Sequence, residues 1–267
     1  MSIYVNRQES IILKKLLILS LLVCLAICAS AQKTYVLLTG ISKYQERKAN
    51  LNFSTRDVKE LDTIFKKQGF VVTKLTSRYV MRDNISEKVD AIVQLSKPED
   101  TIIFFFAGHG KPGGLVMHDL SLLSYHDLMG MLMQAKAQNI VCIIDACHSG
   151  SVASDLKGSY EEWGEEAKQR GISFIMGCRA DEYSYEDYLT GNGHFTQALK
   201  TGLRGRADGW TSKGPDGTKD NGVTLYELYR HIYDHVTRMT KQYGKVQHPQ
   251  LIAPRSAYNK IITQWNQ

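Results

Sequence analysis

Two apolar segments of the chain each end shortly before a side chain that could carry out covalent chemistry. Residues 102–106 (IIFFF) precede His109, and residues 140–144 (IVCII) precede Cys147. Such runs of β-branched and aromatic residues predict strands buried on both faces of a parallel sheet. Because ligands bind outside the carboxyl ends of parallel strands, His109 and Cys147 are expected at one edge of that sheet. There a cysteine could act as a thiolate nucleophile, with the histidine as its base.

Each of these residue types also has an ordinary structural interpretation. A cysteine inside an apolar run is usually a small core residue, and Cys142 is assigned to the core on this ground. A single histidine is likewise more often structural than catalytic. Cys147 and His109 differ because each follows its strand with glycine nearby, and small neighbours let the backbone approach a substrate closely. We therefore interpret this pair as catalytic and give the adjacent His148 a structural role.

Strand and helix patterns alternate along the chain. Apolar residues at helical spacing predict helices over residues 55–68, 85–95, 125–137, 194–203 and 224–243. Short β-branched runs predict strands over residues 35–39, 70–75, 101–107, 140–144 and 171–177. The alternation predicts an α/β fold, a three-layer α-β-α sandwich with a mostly parallel central sheet.

Capping pairs are expected at the starts of three helices. A polar cap and an acidic residue three positions later satisfy free backbone N–H groups in the first turn. The three pairs are Asn84 with Glu87, Ser124 with Asp127, and Thr224 with Glu227.

The composition narrows the class of protein. The chain has 267 residues, 43% of them hydrophobic, which suits one globular domain whose core needs no disulfide support. The formal charge of +6 is scattered, with no basic block interleaved with aromatic residues. Nucleic acid is therefore not expected as a partner. No feature of the sequence predicts an oligomeric state.

Residues 1–31 have the layout of a secretory signal peptide. A polar start ends in two lysines, an uninterrupted apolar stretch of 14 residues covers positions 16–29, and small residues surround Ala31. The stretch is shorter than the roughly 20 residues of a membrane span, although an uncleaved signal anchor is an alternative. Cleavage after Ala31 would start the mature chain at Gln32. It predicts an exported protein, periplasmic or extracellular, without stable membrane association after cleavage.

The mature chain would keep three cysteines, at positions 142, 147 and 178. Export normally means an oxidising compartment, where cysteines often pair. An odd number, with two of them in strand-like runs, does not indicate a disulfide framework. It leaves a free thiol, which agrees with a reactive Cys147.

These segments resemble the caspase-like cysteine peptidases, and most of all their bacterial and metacaspase-type branch. The most specific matches are residues 108–110 (GHG) and 145–150 (DACHSG). Supporting matches lie at residues 35–40, 54–57, 183–186, 193–196 and 203–208. The resemblance spans about residues 33–252. It implies a caspase-like peptidase domain over 32–267, with a large-subunit-like half at about 32–150, a linker at 151–170 and a small-subunit-like half at 171–255.

The resemblance implies a cysteine endopeptidase that acts on polypeptides. Cys147 would attack the scissile carbonyl, and His109 would act as acid and base. Backbone N–H groups of Gly110 and Cys147 would hold the oxyanion, and losing one such donor typically costs about 3 kcal/mol. A catalytically silent binding or scaffold protein of the same fold is the rival, and the intact pair argues against it. A different thiol hydrolase or acyl transferase fits the second half of the chain less well.

The resemblance also implies specificity for Arg or Lys, because metacaspase-type members line the first pocket with carboxylates. The matching positions are Asp57 and Asp145. A buried carboxylate pair favours a basic side chain through charge-assisted hydrogen bonds. Two alternatives stand beside this: Ser54 and Asp57 have the spacing of a helix capping box, and Asp145 could be tied to backbone amides. Ala107 replaces the serine that metacaspases place two residues before the histidine.

No cofactor is expected, and activating calcium is a weaker hypothesis. Some metacaspases bind calcium through acidic residues, and Asp119, Asp127 and Asp155 lie in roughly corresponding loops, with His126 at a neighbouring acidic position. Residues 216–227 resemble an EF-hand loop with an imperfect ligand pattern. A solvated turn that enters a capped helix explains that segment as well.

The linker at 151–170 contains three basic residues that match the expected specificity, Lys157, Lys168 and Arg170. Exposed polar loops are preferred cleavage sites, and related peptidases often process themselves between their halves. Self-cleavage after one of these residues is therefore expected. The alternative is an uncut loop that covers the rim of the active site.

Overall fold

A six-stranded sheet forms the centre of the fold. The structure is a computed structural model that describes residues 32–111, 113–147, 171–179, 181–187, 189 and 191–265. The central strands are β1 (Thr34–Gly40), β2 (Val71–Thr76), β3 (Thr101–Gly108), β4 (Asn139–Ala146), β5 (Ile172–Met176) and β6 (Gln250–Ile252). Their order across the sheet is β6-β5-β4-β3-β1-β2. Every neighbouring pair is parallel except β6 with β5, so the sheet is mostly parallel, as predicted.

Helices cover both faces of this sheet. They are α1 (Ser54–Lys67), α2 (Arg82–Leu95), α3 (Tyr125–Leu132), α4 (His194–Thr201) and α5 (Leu225–Gln242). One hydrophobic cluster joins the sheet to α2 and α3, and the other joins it to α1, α4 and α5. Alternate residues of one strand feed the two clusters: Phe104 enters the first and Phe105 the second. The three-layer α-β-α prediction is confirmed, and Lys33–Gln267 forms one compact unit.

Short strands and turns complete the described part of the chain. The short strands are Gly110–Lys111, Gly114–Val116, Leu122–Ser124, Glu186–Asp187, Asn192–Gly193, Trp210–Thr211, Gly214–Pro215, Gly222–Thr224 and Ile261–Gln264. Single helical turns lie at Arg47–Ala49, Ser77–Tyr79, Gly202–Arg206 and Arg255–Ala257. Among the described residues, no helix is both long and apolar enough to cross a membrane. The proposed signal peptide, His148 and the linker at 151–170 lie outside the described residues.

Two of the three predicted helix caps are found. Ser124 accepts a hydrogen bond from the backbone N–H of Asp127, and Thr224 and Glu227 form a complete capping box. The prediction for Asn84 is wrong, because α2 begins at Arg82 and Met81 is its extended N-cap residue. Asn84 therefore has helical backbone, and its amide donates to the carbonyl oxygen of Tyr79. This bond ties the first turn of the helix to the preceding 3-10 turn.

The helix predicted over residues 125–137 is shorter than expected and ends at Leu132. The N–H groups of Gln134 and Ala135 bond to carbonyl oxygens three residues back, which tightens the chain into a turn. Ala135 and Ala137 are buried in the core beneath that turn. Their apolar side chains continue the helical pattern in the sequence, although the backbone has already turned towards β4.

The core placement of Cys142 is confirmed, since its side chain is fully buried in the middle of β4. Cys178 is also buried, just after β5, whereas Cys147 is partly exposed. All three are free thiols.

Candidate active site

The register between β3 and β4 places His109 beside Cys147. Gly108 pairs with Ala146 at the carboxyl ends of these parallel strands, so the next residue of each strand leaves the sheet at the same edge. His109 and Cys147 line one cleft there. A side chain on Gly110 would collide with the carbonyl oxygen of Cys147. Glycine at that position therefore lets the two strand ends approach each other closely.

The hydrogen bonds of His109 define which of its nitrogens is free. Nε2 lies 2.8 Å from the carbonyl oxygen of Ala49, in the turn Arg47–Ala49. A carbonyl oxygen can only accept, so Nε2 carries the hydrogen in the neutral ring and Nδ1 keeps its lone pair. The imidazole is thus held in the tautomer that can accept a proton at Nδ1.

Tyr44 holds the backbone and the ring of the same histidine. Its hydroxyl oxygen accepts the backbone N–H of His109 at 2.7 Å, and the two ring centroids lie 4.9 Å apart. Burial raises the pKa of the Tyr44 hydroxyl, which therefore stays protonated. The backbone N–H of Tyr44 donates to the Oδ1 atom of Asn50 at 2.9 Å, next to Ala49. These contacts connect the loop after β1 to the loop after β3.

The Cys147 thiol is neutral in the resting site. Burial raises its pKa, and the negative charges of Asp145 and Glu186 act in the same direction. The thiol also donates a weak hydrogen bond to the carbonyl oxygen of Ser184, at 3.8 Å, and a bond donated by the neutral thiol favours the protonated form. Because the thiol is not ionised in advance, its use as a nucleophile requires a neighbouring base.

Asp145 is buried and lines the cleft, and it is the last residue but one of β4, two positions before Cys147. Its carboxylate accepts hydrogen bonds from the hydroxyls of Ser184 and Thr196, both at 2.6 Å. Burial nevertheless raises the pKa of Asp145. A side chain on Gly193 would lie 2.8 Å from this carboxylate, so glycine leaves room for it. Two hydroxyl groups and the backbone of Thr196 therefore hold Asp145, so the alternative interpretation, in which backbone amides tie this residue, is met in part.

Asp57 faces the same cleft from α1. Its carboxylate accepts from the Nδ2 atom of Asn192 at 2.5 Å and from the backbone N–H of Gly193 at 3.4 Å. Burial and the charge of Asp145 raise the pKa of Asp57 to about 7. The capping-box alternative is wrong, because α1 begins at Ser54 and its N-cap makes no side-chain hydrogen bond.

A third carboxylate, that of Glu186, also lines the cleft. It accepts the backbone N–H groups of Asn52 and Phe53, both at 3.0 Å, and the Nδ2 group of Asn52 at 2.8 Å. Sequence reasoning gave Glu186 no role, although it lies in one of the segments that carried the family resemblance. Its neighbours Ser184 and Tyr185 line the cleft as well and were missed in the same way.

The residues considered for calcium use their oxygens elsewhere. Asp119 accepts from the backbone and hydroxyl of Ser121, and Asp127 pairs with Arg82 at 3.0 Å. Glu227 accepts from the backbone of Gly209 and Thr224. In the part of the chain that the structure describes, no three His, Cys, Asp or Glu side chains could hold a metal ion together. Asp155 lies outside the described residues, and activating calcium stays a prediction.

Comparison with known proteins gives partial matches to plant enzymes. The chain is 38% identical over 65 residues to vacuolar-processing enzyme beta-isozyme 1 of Oryza sativa, in both subspecies indica and japonica. The matched residues make up 23% of this chain and 13% of the relative. It is 30% identical over 100 residues to a vacuolar-processing enzyme of Glycine max, and this match covers 36% of this chain and 18% of the relative. The matched part is thus less than a fifth of each relative's length.

A fold comparison and a family comparison cover much more of the chain. The crystal structure of protein GSU0716 from Geobacter sulfurreducens aligns with a TM-score of 0.61 and 16% identity, over 88% of this chain and 100% of that chain. This likeness concerns the fold. Residues 33–257 match the family Peptidase_C14, described as the caspase domain. The predicted resemblance to the caspase-like peptidases is therefore confirmed, and the chain belongs to the caspase-domain family Peptidase_C14.

Proposed function

We propose that the protein is an exported cysteine endopeptidase that cleaves polypeptides after Arg or Lys, with Cys147 as nucleophile and His109 as acid and base. One observation carries the proposal. The register of β3 and β4 delivers both residues to a single cleft that is also lined by the carboxylates of Asp57, Asp145 and Glu186. Membership of the caspase-domain family supports the same chemistry.

The first step is proton transfer from the Cys147 thiol to Nδ1 of His109. The bond from Nε2 to Ala49 supports this direction, because it leaves Nδ1 as the basic nitrogen. The thiolate then attacks the scissile carbonyl carbon, and its electron pair moves to the carbonyl oxygen. When that oxyanion collapses, the protonated His109 donates its proton to the leaving amine. A water molecule, deprotonated by His109, hydrolyses the thioester and regenerates the thiol.

The oxyanion would be held by backbone N–H groups of Gly110 and Cys147. The close approach of these two residues supports their joint role, since a side chain at position 110 would meet the carbonyl oxygen of Cys147. Backbone donors held by strand ends are already oriented when charge develops on the substrate. Such preorganised donors stabilise the transition state more than the ground state.

The specificity for basic residues follows from the charge of the cleft. The carboxylates of Asp57, Asp145 and Glu186 line a small space, and no lysine or arginine is among the described residues that line it. Two of them have a raised pKa, which reflects the cost of burying like charges together. A bound guanidinium or ammonium group would relieve that cost. An acidic substrate side chain would increase it.

The proposal can be tested with the purified mature chain and short fluorogenic peptides. Peptides that end in Arg, Lys, citrulline or Asp before the reporter would be compared at pH 8, with Cys147→Ala as the inactive control. Arg and Lys peptides should exceed Asp peptides at least tenfold in kcat/KM, which needs only about 1.4 kcal/mol of differential binding. A preference for Asp would contradict the specificity, and activity retained by Cys147→Ala would contradict the mechanism.

A further inference from the structure

The side chain of Lys200 is buried behind the cleft, where the proposed mechanism does not use it. It lies on α4 and is only 3% exposed, which is rare for a lysine. Its ammonium group makes a close ion pair with Glu60 of α1, and Arg56 binds the same carboxylate at 2.9 Å. It also donates to the Oδ1 atom of Asn192 at 2.7 Å.

The contact with Lys200 determines how the amide of Asn192 is oriented. An ammonium group has only donors, so the oxygen of the amide must face Lys200 and the NH₂ group must face the other way. There Nδ2 donates to Oδ1 of Asp57 at 2.5 Å, and it makes a longer contact of 3.4 Å with Oε2 of Glu60. The opposite orientation would present the amide oxygen to Asp57, and that arrangement is favourable only if the carboxyl is protonated.

We propose that Lys200, acting through the amide of Asn192, is a positioning residue that keeps Asp57 ionised and aimed into the cleft for a basic substrate side chain. Lys200 is not among the residues that line the cleft, so it would act without touching substrate. The inference rests on the proposed function, because it assigns to Asp57 the recognition of Arg or Lys. It adds a determinant of specificity on a helix behind the pocket.

The surroundings of Asp57 oppose its ionisation, so a nearby positive charge is needed to keep this carboxylate ionised. Asp145 of β4 opposes ionisation of Asp57, and burial acts in the same direction. On the favourable side are the Asn192 amide, the backbone N–H of Gly193 and the positive charge of Lys200. Glu60 partly neutralises Lys200, and Arg56 in turn neutralises Glu60. Removing Lys200 should therefore shift Asp57 towards its protonated form at neutral pH.

The experiment compares Lys200→Met with the wild type on matched Arg-ending and citrulline-ending peptides between pH 6 and pH 9. Citrulline has the shape of Arg without its charge, so it reports catalysis without carboxylate recognition. At pH 7 we expect kcat/KM on the Arg peptide to fall about tenfold, mainly through KM. On the citrulline peptide it should change less than twofold. The loss should shrink towards pH 9, where Asp57 ionises without help.

Three further variants make the result specific. Lys59→Met removes an exposed lysine beside Glu60 on α1 and should behave like the wild type. Lys200→Arg keeps the charge and should retain most of the Arg preference. If Lys200→Met does not fold, Asn192→Ala leaves the ion pair of Lys200 and Glu60 in place and should show the same pH-dependent loss.

The outcomes separate this inference from the proposed function. A wild type that prefers Arg, with Lys200→Met or Asn192→Ala keeping that preference and pH profile, would overturn the role of Lys200 alone. Equal losses on both peptides at every pH would also overturn it, because they would indicate a general structural effect. A wild type with equal activity on Arg and citrulline would overturn the basic specificity and this inference with it.

Discussion

Asp57 and Asp145 reach the same cleft from different layers of the fold, and the charge of Asp145 helps burial to raise the pKa of Asp57 to about 7. The first residue comes from helix α1 and the second from the end of strand β4. At neutral pH the pocket is therefore close to gaining or losing one negative charge. This relationship has consequences for both activity and stability.

Activity on Arg-ending peptides should rise with pH through about 7. Above this value Asp57 is ionised and attracts the guanidinium group, whereas below it the carboxyl is neutral. The measurement is a pH profile of kcat/KM for the wild type and for Asp57→Asn, which carries no titrating group at this position. The step near pH 7 should be absent from the variant. An identical step in both proteins would assign it to another group.

Asp57→Asn should make the fold more stable at pH 8 while weakening activity on basic substrates. A carboxyl whose pKa is raised on folding favours the folded state only while it is protonated, so stability decreases as pH rises from about 4 towards 7. Since one pKa unit corresponds to about 1.4 kcal/mol, removing the charge should stabilise the fold by up to about 4 kcal/mol at pH 8. Urea unfolding at pH 8 and pH 4.5 checks this, because the gain should be small at the lower pH. A variant less stable than the wild type at pH 8 would contradict the electrostatic argument.

Tyr44→Phe should lower kcat about tenfold with little effect on KM. The variant removes the acceptor for the backbone N–H of His109, at a cost of about 1.4 kcal/mol for one hydrogen bond. KM should be nearly unchanged because Tyr44 is not among the cleft-lining residues. Tyr79→Phe, at an exposed tyrosine, is the matched control and should leave kcat unchanged. An unchanged kcat in Tyr44→Phe would show that the ring alone is sufficient to orient His109.

Cys147→Ala and Cys142→Ala should have opposite effects. The first should abolish activity and leave thermal unfolding nearly unchanged, because Cys147 lies at the open edge of the sheet. His109→Ala should be nearly as damaging to activity. The second should keep activity but lose roughly 1 kcal/mol of stability, because Cys142 is fully buried. Loss of activity in a stable Cys142→Ala protein, with Cys147→Ala active, would reverse the assignment.

The exported protein should begin at Gln32. The prediction follows from the apolar stretch and the small residues that end at Ala31. Intact-mass spectrometry of protein recovered from the periplasm or medium measures the cleavage position. A full-length chain found only in the membrane fraction would point to an uncleaved signal anchor instead.

Local patterns in the sequence determined the two strands that end in the active site. The runs at 102–106 and 140–144 are too apolar for a surface strand, and glycine or a small residue follows each. These features led directly to β3, β4, His109 and Cys147. The three-layer class also followed, because alternating strands and helices leave few other ways to bury both faces of a parallel sheet.

Residue spacing alone could not predict a helix cap reliably, because residues in other local structures have the same spacing. Ser54 and Asp57 fit a capping box as well as a pocket, and only the structure shows that Ser54 is already helical and that Asp57 lines the cleft. Asn84 and Glu87 also fit a cap, yet the helix begins at Arg82, three residues before the predicted start at position 85. A cap requires extended backbone at the first residue, and that backbone angle depends on the preceding turn as well as on the residue type.

Only the tertiary structure decided how the cleft is completed. Asn192 meets Asp57 across 135 residues of chain, and Ser184 meets Asp145 across 39. The sequence carries no periodic signal for such contacts, because they depend on how β-strand ends and loops from both halves pack at one edge. The reactive residues were thus determined by local sequence. The tautomer of His109, the charge of Asp57 and the hydrogen bonds that hold both side chains were determined by distant residues that the fold brings within hydrogen-bonding distance.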